Sequence, residues 1–337
     1  DTKGAGEIIV KGINSNRKEE EYQIPDSREG WVESLKLVLE SYFHGTAPIK
    51  FDYSQIRQEG ESIKGFGGVS SGPKPLMKLH DIVKTVMNRN TGEPITITTI
   101  VDIMNLIGKC VVAGNVRRTA EIVFGAADSE EYLDLKNYKL NPKRESYGWT
   151  SNNSIFAKLG MDYSDVCTRI VNNGEPGLAW LENMQNYGRI KNGKDNKDHR
   201  AAGGNPCLEQ TLESYELCCL VETFPTSHDS LDDYLKTLKY AYLYAKTVTL
   251  GKTHWPDTNR VMLRNRRIGC SVSGVAQFIT KHGLEELKNW LEKGYDTIQE
   301  WDCMYSDWFA IPKSIKTTSV KPSGTVSLLV GATPGMH

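Results

Sequence analysis

A chain of 337 residues with 39% hydrophobic content is long enough for one large domain or two ordinary ones, with ample core. Its formal net charge of −1 gives no global reason to expect nucleic acid or a membrane as partner, and no apolar run reaches the length of a membrane helix. Seven cysteines, an odd number without framework spacing, fit a reducing cytosol and a cytoplasmic protein better than secretion, and no signal-peptide pattern is present.

Asp1 to Pro25 is polar and charged, with one short alternating piece at Ile8-Ile9-Val10. A helix is predicted from Asp26 or Ser27, either a good N-cap, with Trp31, Leu35, Val38, Leu39 and Tyr42 at helical spacing before Gly45 ends it. Ile49 to Tyr53 alternates as a strand does, and the Gly- and Ser-rich stretch from Glu59 to Pro73 reads as a loop. Helices follow from about Lys74, with Leu76, Leu79, Ile82, Val83 and Val86 on one face, and from about Ile97 to Ile107. Gly114-Asn115-Val116-Arg117-Arg118 is a Gly-led loop whose paired arginines suit a phosphate or carboxylate, or simply a solvated surface. It leads to a strand at Glu121 to Phe124, a helix near Glu130, a short strand at Ser154 to Phe156 and a helix around Tyr163 to Asn172. Strands alternating with helices predict an α/β fold with a mainly parallel sheet.

Arg189 to Arg200 is almost wholly polar and reads as a surface loop before Gly203-Gly204-Asn205-Pro206-Cys207-Leu208-Glu209. In an extended segment Asn205, Cys207 and Glu209 would face one way, since residues two apart share a side. A thiol so placed could be a nucleophile, a metal ligand, a hydrogen-atom relay or a buried structural cysteine. The first needs a base to form thiolate, whereas an adjacent carboxylate raises a thiol pKa. No Cys-x-x-Cys or Cys/His spacing surrounds it, so no metal site is predicted. For the third, a sulfur radical takes hydrogen from carbon while the carboxylate manages a hydroxyl proton.

Tyr215 to Glu222, containing Cys218 and Cys219, reads as a buried strand. A long helix carries Leu231, Leu235, Leu238, Tyr242 and Ala245 on one face; another starts at Val275. Two more are predicted at Leu284 to Lys293 and Thr297 to Phe309, with Leu287, Trp290, Leu291, Trp301, Tyr305 and Trp308 facing inward. Pro322-Ser323-Gly324-Thr325-Val326-Ser327, after a strand signal at Thr317 to Val320, could turn successive backbone N–H groups toward an anion or be a plain turn; it lacks the Walker ending. No composition shift cuts the chain into two domains.

Taken in order, these pieces resemble the catalytic chain of ribonucleotide reductases, and most the adenosylcobalamin-dependent class II type acting on ribonucleoside triphosphates. The resemblance covers the chain and rests on Phe51 to Arg57, Gly65-Phe66-Gly67-Gly68 to Pro73, Gly114 to Ala120, Ser151 to Ser154, the Cys207 loop, Asn265 to Gly269 and Pro322 to Thr325. It implies a ten-stranded α/β barrel with a central finger loop, of which residues 1–337 are a central part, residues 1–25 ending an upstream segment or insertion. It further implies a thiyl radical on Cys207, proton transfer by Glu209, a ribose hydroxyl contact from Asn205 and a reducing role for Cys218. Ser323, Gly324, Thr325, Val326 and Ser327 would cradle substrate phosphates. Gly65, Gly67 and Gly68, with Gly114, Asn115, Val116, Arg117 and Arg118, would belong to the effector and specificity loops.

The implied cofactor is adenosylcobalamin; the implied partners are a ribonucleoside triphosphate, a deoxynucleotide effector and a thioredoxin-type reductant. Leu208 stands where a small residue is usual and is expected to crowd the finger; Asn115 replaces a usual Gly. The other redox cysteines are expected outside this stretch, upstream of Asp1 and beyond His337, so these residues alone are expected not to turn over. A class I large subunit and a non-catalytic nucleotide-binding remnant are the competing readings.

Overall fold

The computed structural model describes residues 2, 4–63, 67–114 and 119–336, which form two compact units, residues 1–178 and 179–337.

In the first unit, β1 (Glu20–Gln23) crosses through helix α1 (Arg28–His44) to β2 (Ile49–Asp52), and the two strands pair in parallel with Glu20 opposite Ile49. The α1 ends are those the sequence signals: the Ser27 side chain accepts from the Gly30 N–H, and Gly45 closes the helix in the left-handed region at φ 66°. Helices α2 (Lys74–Asn88) and α3 (Ile97–Val112) pack against this layer, burying Leu76, Val83 and Met87 with Val38 and Tyr42. Each such side chain contributes roughly 1.5–3 kcal/mol when fully buried. A second layer follows: β3 (Glu121–Gly125), the short α4 (Glu130–Leu133), β4 (Ser151–Phe156), α5 (Ser164–Asn173) and β5 (Gly177–Ala179). The sheet order is β3-β4-β5, with β3 and β4 parallel. The Tyr132 hydroxyl lies 2.7 Å from both the Val123 and Ser154 carbonyls, tying α4 to two strands.

The second unit starts with α6 (Leu181–Asn186) and a hairpin of β6 (Gly203–Gly204) and β7 (Thr211–Leu212). Strand β8 (Leu220–Thr223), helices α7 (Leu231–Val248) and α8 (Pro256–Asn265), and strand β9 (Gly269–Val272) form a second parallel crossover, with Leu220 opposite Gly269. Residues 316–319 run alongside β9: the Cys270 N–H donates to the Thr317 carbonyl at 2.9 Å and the Ser319 N–H to the Cys270 carbonyl at 3.1 Å. Helices α9 (Val275–His282), α10 (Leu284–Phe309) and the one-turn α11 (Thr325–Leu328) complete the unit. Leu238, Tyr242, Phe278, Trp290 and Tyr305 form its core.

The α/β expectation holds, with parallel strand pairs in both units; among the described residues no closed barrel forms. Several local expectations do not hold. The two helices predicted between Leu284 and Phe309 are one, because Gly294 is there for packing: a Cβ on it would sit 2.9 Å from Leu238 Cδ1. Trp308, expected inside, is 65% exposed. Helix α8 went unread, and the strand predicted over Tyr215 to Glu222 starts only at Leu220, leaving Cys218 and Cys219 in irregular chain.

Candidate functional site

The β6–β7 hairpin pairs only Gly203 with Leu212 and Gly204 with Thr211, too little ladder to stand alone. A buried ion network holds its arms. Arg267, fully buried, donates Nη1 to Asp198 Oδ2 at 2.7 Å and Nη2 to Asp198 Oδ1 at 2.6 Å, and Nη1 also to Thr211 Oγ1 at 2.7 Å. Lys316 Nζ lies 3.1 Å from Asp198 Oδ2 and 3.0 Å from Thr211 Oγ1, and Glu216 Oε1 lies 3.0 Å from Arg267 Nε. Asp198 before the first arm and Thr211 in the second are therefore clamped to the chain flanking β9. Burial pushes the Asp198 carboxyl up, but Arg267, Thr211 and Lys316 outweigh it and hold the group below its ordinary range.

Asn205 closes the turn. Its Oδ1 accepts from the Gln210 N–H at 3.0 Å, its own N–H donates to the Gln210 carbonyl at 3.1 Å, and its carbonyl accepts from the Leu208 N–H at 2.8 Å. Residues 205–209 are thus a turn, and the expected shared face of an extended Asn205, Cys207 and Glu209 is not what gathers them. Leu208 sits at φ 61°, a left-handed position that suits glycine, which is why a small residue would be at ease there. Asn205 is buried, Cys207 is exposed at the bend, and the Glu209 side chain turns inward at 2% exposure.

Glu209 is gripped on two of its three oxygens. Its Oε1 accepts from Lys321 Nζ at 2.7 Å and its carbonyl from Ser319 Oγ at 2.8 Å, while Oε2 is buried without a hydrogen-bond partner among the described residues. Asn205 Nδ2 lies 3.6 Å from Cys218 Sγ. Burial pushes the Cys218 thiol up to about 11; the Glu209 charge adds to this, Lys321 opposes it, and Cys219 and Cys207 add a little more. At neutral pH Cys218 is therefore a protonated thiol, the state that can give up hydrogen. Cys219 instead packs in the apolar core, its Sγ 3.4 Å from the Ala245 carbonyl.

The Ser323 to Ser327 stretch begins two residues after Lys321. The buried Ser323 and Ser327 hydroxyls bond each other, and Ser323 Oγ is 2.6 Å from Ser273 Oγ. Gly324, Thr325 and Val326 are exposed, so main chain, not serine hydroxyl, is what this turn offers a ligand. Glu222 Oε1 accepts from Ser271 and Ser273 behind it, and burial pushes its carboxyl up.

In the first unit Gly65 and Asn115, Val116, Arg117 and Arg118 fall outside the described residues. Gly67, Gly68 and Gly114 are among the described residues: the Gly60 N–H donates to the Ser70 carbonyl at 2.9 Å, the Ser70 N–H to the Glu61 carbonyl at 2.8 Å and the Ile63 N–H to the Gly68 carbonyl at 3.0 Å. Gly114 packs on Ser71, where a Cβ would come within 2.9 Å of the serine Cβ. Beside this contact opens a cavity of about 600 Å³, walled by Leu79, Ile82 and Leu106 and edged by Lys74, Lys78 and Lys109. Apolar walls with several cations suit an aromatic, anionic ligand.

Sequence reasoning missed Lys321 and gave Asp198 and Arg267 no role. Arg267 lay inside a quoted motif; the partner of Lys321 is 112 residues away, beyond any local pattern. Among the described residues no group of three or more metal-ligating side chains gathers, and no helix is long and apolar enough to cross a membrane.

Comparison with known proteins gives one family. Residues 5–87 match the domain described as "B12-dependent ribonucleotide reductase, insertion domain", a span running past residues 1–25. The chain is 62% identical over 353 aligned positions to a probable adenosylcobalamin-dependent ribonucleoside-triphosphate reductase of Dictyostelium discoideum, covering 100% of this chain and 47% of that protein. It is 60% identical to the adenosylcobalamin-dependent ribonucleoside-triphosphate reductase of Euglena gracilis, covering 100% of this chain and 46% of the relative. A crystal structure of a B-12 dependent (class II) ribonucleotide reductase superimposes with a TM-score of 0.84 at 34% identity, over 95% of this chain and 48% of that one. The chain thus spans about half the length of the curated relatives it matches.

Proposed function

The chain belongs by sequence and fold to the B12-dependent, class II ribonucleotide reductases, and from that premise we propose that it carries the radical-bearing half of a ribonucleoside-triphosphate reductase. The observation that carries this reading is the Glu209 carboxylate, buried, fixed on one oxygen and unbonded on the other, beside the Cys218 thiol and the exposed Cys207.

Each residue has a task its surroundings suit. Cys207, at the bend of the hairpin, is reachable by a bulky cofactor; as a sulfur radical it takes the 3′ hydrogen of the ribose and returns it once the 2′ position is reduced. Adenosylcobalamin, when bound, would supply the carbon radical that takes the hydrogen atom from that thiol. Glu209 Oε2 accepts the 3′-hydroxyl proton. Asn205 Nδ2 reaches the neighbouring hydroxyl from the interior of the turn. Cys218, kept protonated by burial, gives hydrogen toward the 2′ position as that hydroxyl leaves as water, and with a second thiol becomes a disulfide that a thioredoxin-type dithiol reopens. The main chain of Ser323, Gly324, Thr325, Val326 and Ser327 receives the triphosphate.

In the first unit, the lysine-edged cavity by Gly114 takes the deoxynucleotide effector, its base on Leu79, Ile82 and Leu106 and its phosphates toward Lys74, Lys78 and Lys109. A reducing cytosol is the compartment in which such thiols stay usable. The test is turnover by the complete protein supplied with adenosylcobalamin, a ribonucleoside triphosphate and a dithiol. Deoxynucleotide formation that falls at least about 100-fold in Glu209→Gln supports the reading. An unchanged rate removes Glu209 from it.

A further inference from the structure

Lys321 takes no part in the chemistry assigned so far, yet it is the residue most directly bound to Glu209. Its Nζ lies 2.7 Å from Glu209 Oε1, with the carboxylate side chain 2% and the lysine 29% exposed. The lysine backbone is fixed as well: its N–H donates to Ser271 Oγ at 2.8 Å, and the following Pro322 holds it out of helical conformation. Ser319, two residues earlier, grips the Glu209 carbonyl. One segment therefore holds the finger by side chain and main chain, then runs directly into Ser323.

A carboxylate this deeply buried stays charged only with a counter-charge; otherwise burial favours the neutral acid. The other ionisable groups around Glu209 are acids, and none of them offers it a positive charge. Cys218 and Glu222 are acids whose thiol and carboxyl are pushed up in part by the Glu209 carboxylate, and Cys207 bears on both Cys218 and Lys321. Lys321 is the cation set against all three. Burial alone would lower its own titration, but Glu209 foremost, then Cys207 and Cys218, raise it above the ordinary lysine value. The ammonium is also on one oxygen only, which determines which oxygen is left for a ligand.

We infer that Lys321 is a positioning residue for the reductase reaction: it keeps Glu209 ionised and turned so that Oε2 meets the substrate hydroxyl, and it couples that carboxylate to the phosphate-receiving turn. This rests on the role proposed above for Glu209. A neutral Glu209 accepts no proton, so the predicted defect lies in the chemical step and in its pH dependence, not in nucleotide affinity.

The experiment uses the complete protein with Lys321→Met and Lys321→Arg. Infrared difference spectra without cofactor read the Glu209 protonation state directly, the acid carbonyl band being assigned by its loss in Glu209→Gln. At pH 7 the expected result is no such band in the parent protein or K321R, and a band in K321M that titrates away as pH rises. In turnover, K321M should lose at least about 100-fold in kcat at pH 7, regain part of it at higher pH and keep KM within about threefold, since a general base contributes about 10²–10⁴-fold. K321R should stay within about tenfold of the parent with an unshifted profile. A K321M protein whose Glu209 remains ionised, or one that loses nucleotide affinity with an unaltered pH profile, would overturn the inference; the latter would make Lys321 a phosphate contact. Should the parent show no reductase activity, the infrared arm still decides Lys321 and the failure belongs to the functional reading. Should K321M not fold, K321Q carries the same measurements.

Discussion

Leu208 stands over Gly204: a Cβ on the glycine would come within 2.9 Å of Leu208 Cδ1 and 2.7 Å of the Gln210 carbonyl oxygen. The bulky residue in the turn is thus accommodated by the missing side chain in the arm. Gly204→Ala should destabilise the second unit by about 1–3 kcal/mol, the usual cost of overpacking. Adding Leu208→Ala should not restore it, because the closer clash is with backbone. Denaturant unfolding of the single and double variants checks this; full recovery in the double variant would show that the leucine, not the hairpin backbone, sets the limit.

The Arg267–Asp198 pair should govern acid stability. Asp198 titrates below its ordinary range in the folded state, so its contribution is present above the unfolded value of about 3.9 and is lost as pH falls through the lower folded value. Asp198→Asn leaves Arg267 buried without its fork and should cost about 3–5 kcal/mol near neutral pH. It should also flatten the pH dependence of stability below about pH 4. Unfolding midpoints across that range test both; equal acid sensitivity in parent and variant would remove the pair as its source.

Cys218 and Cys219 should separate cleanly. Cys218 is in contact range of Asn205, whereas Cys219 bonds a helix carbonyl within the apolar core. Cys218→Ser should abolish dithiol-driven reduction while leaving the hydrogen-abstraction step at Cys207. Cys219→Ser should keep activity and lose about 1 kcal/mol of stability. The reverse pattern would exchange their roles.

The lysine-edged cavity predicts a salt-dependent effector site. Lys78→Gln or Lys109→Gln should weaken deoxynucleoside triphosphate binding about fivefold, roughly 1 kcal/mol each, with the difference shrinking as salt screens it. Equilibrium dialysis at two ionic strengths reads this, and unchanged affinity in both variants would move the effector elsewhere.

What the sequence made legible was mostly local. Ser27 and Gly45 mark the ends of α1 because capping depends on the cap residues themselves. Resemblance singled out Asn205, Cys207, Glu209 and Cys218 as candidates, but how they meet was not legible. Alternation suggested an extended finger, whereas Asn205 folds it into a turn through bonds to Gln210 that no periodicity encodes. The break expected between Lys293 and Thr297 does not occur, because Gly294 packs against Leu238 on another helix. Helix α8 had a sign, Pro256 in its first turn, but only a narrow buried face at Thr258, Val261, Met262 and Asn265. The clamp of Asp198, Thr211, Arg267 and Lys316 draws on four separate segments and had no linear signature.

Everything proposed for this chain depends on Cys207 carrying the radical that opens the reaction. Its most direct test is Cys207→Ser in the complete protein, measured as deoxynucleotide formed from a ribonucleoside triphosphate, with nucleotide binding followed in parallel. A serine O–H is a far poorer hydrogen-atom relay than a thiol, and Cys207 is exposed, so the exchange leaves the fold intact. Turnover should fall below detection with nucleotide affinity unchanged; sustained deoxynucleotide formation by the serine variant would show that Cys207 does not carry the radical.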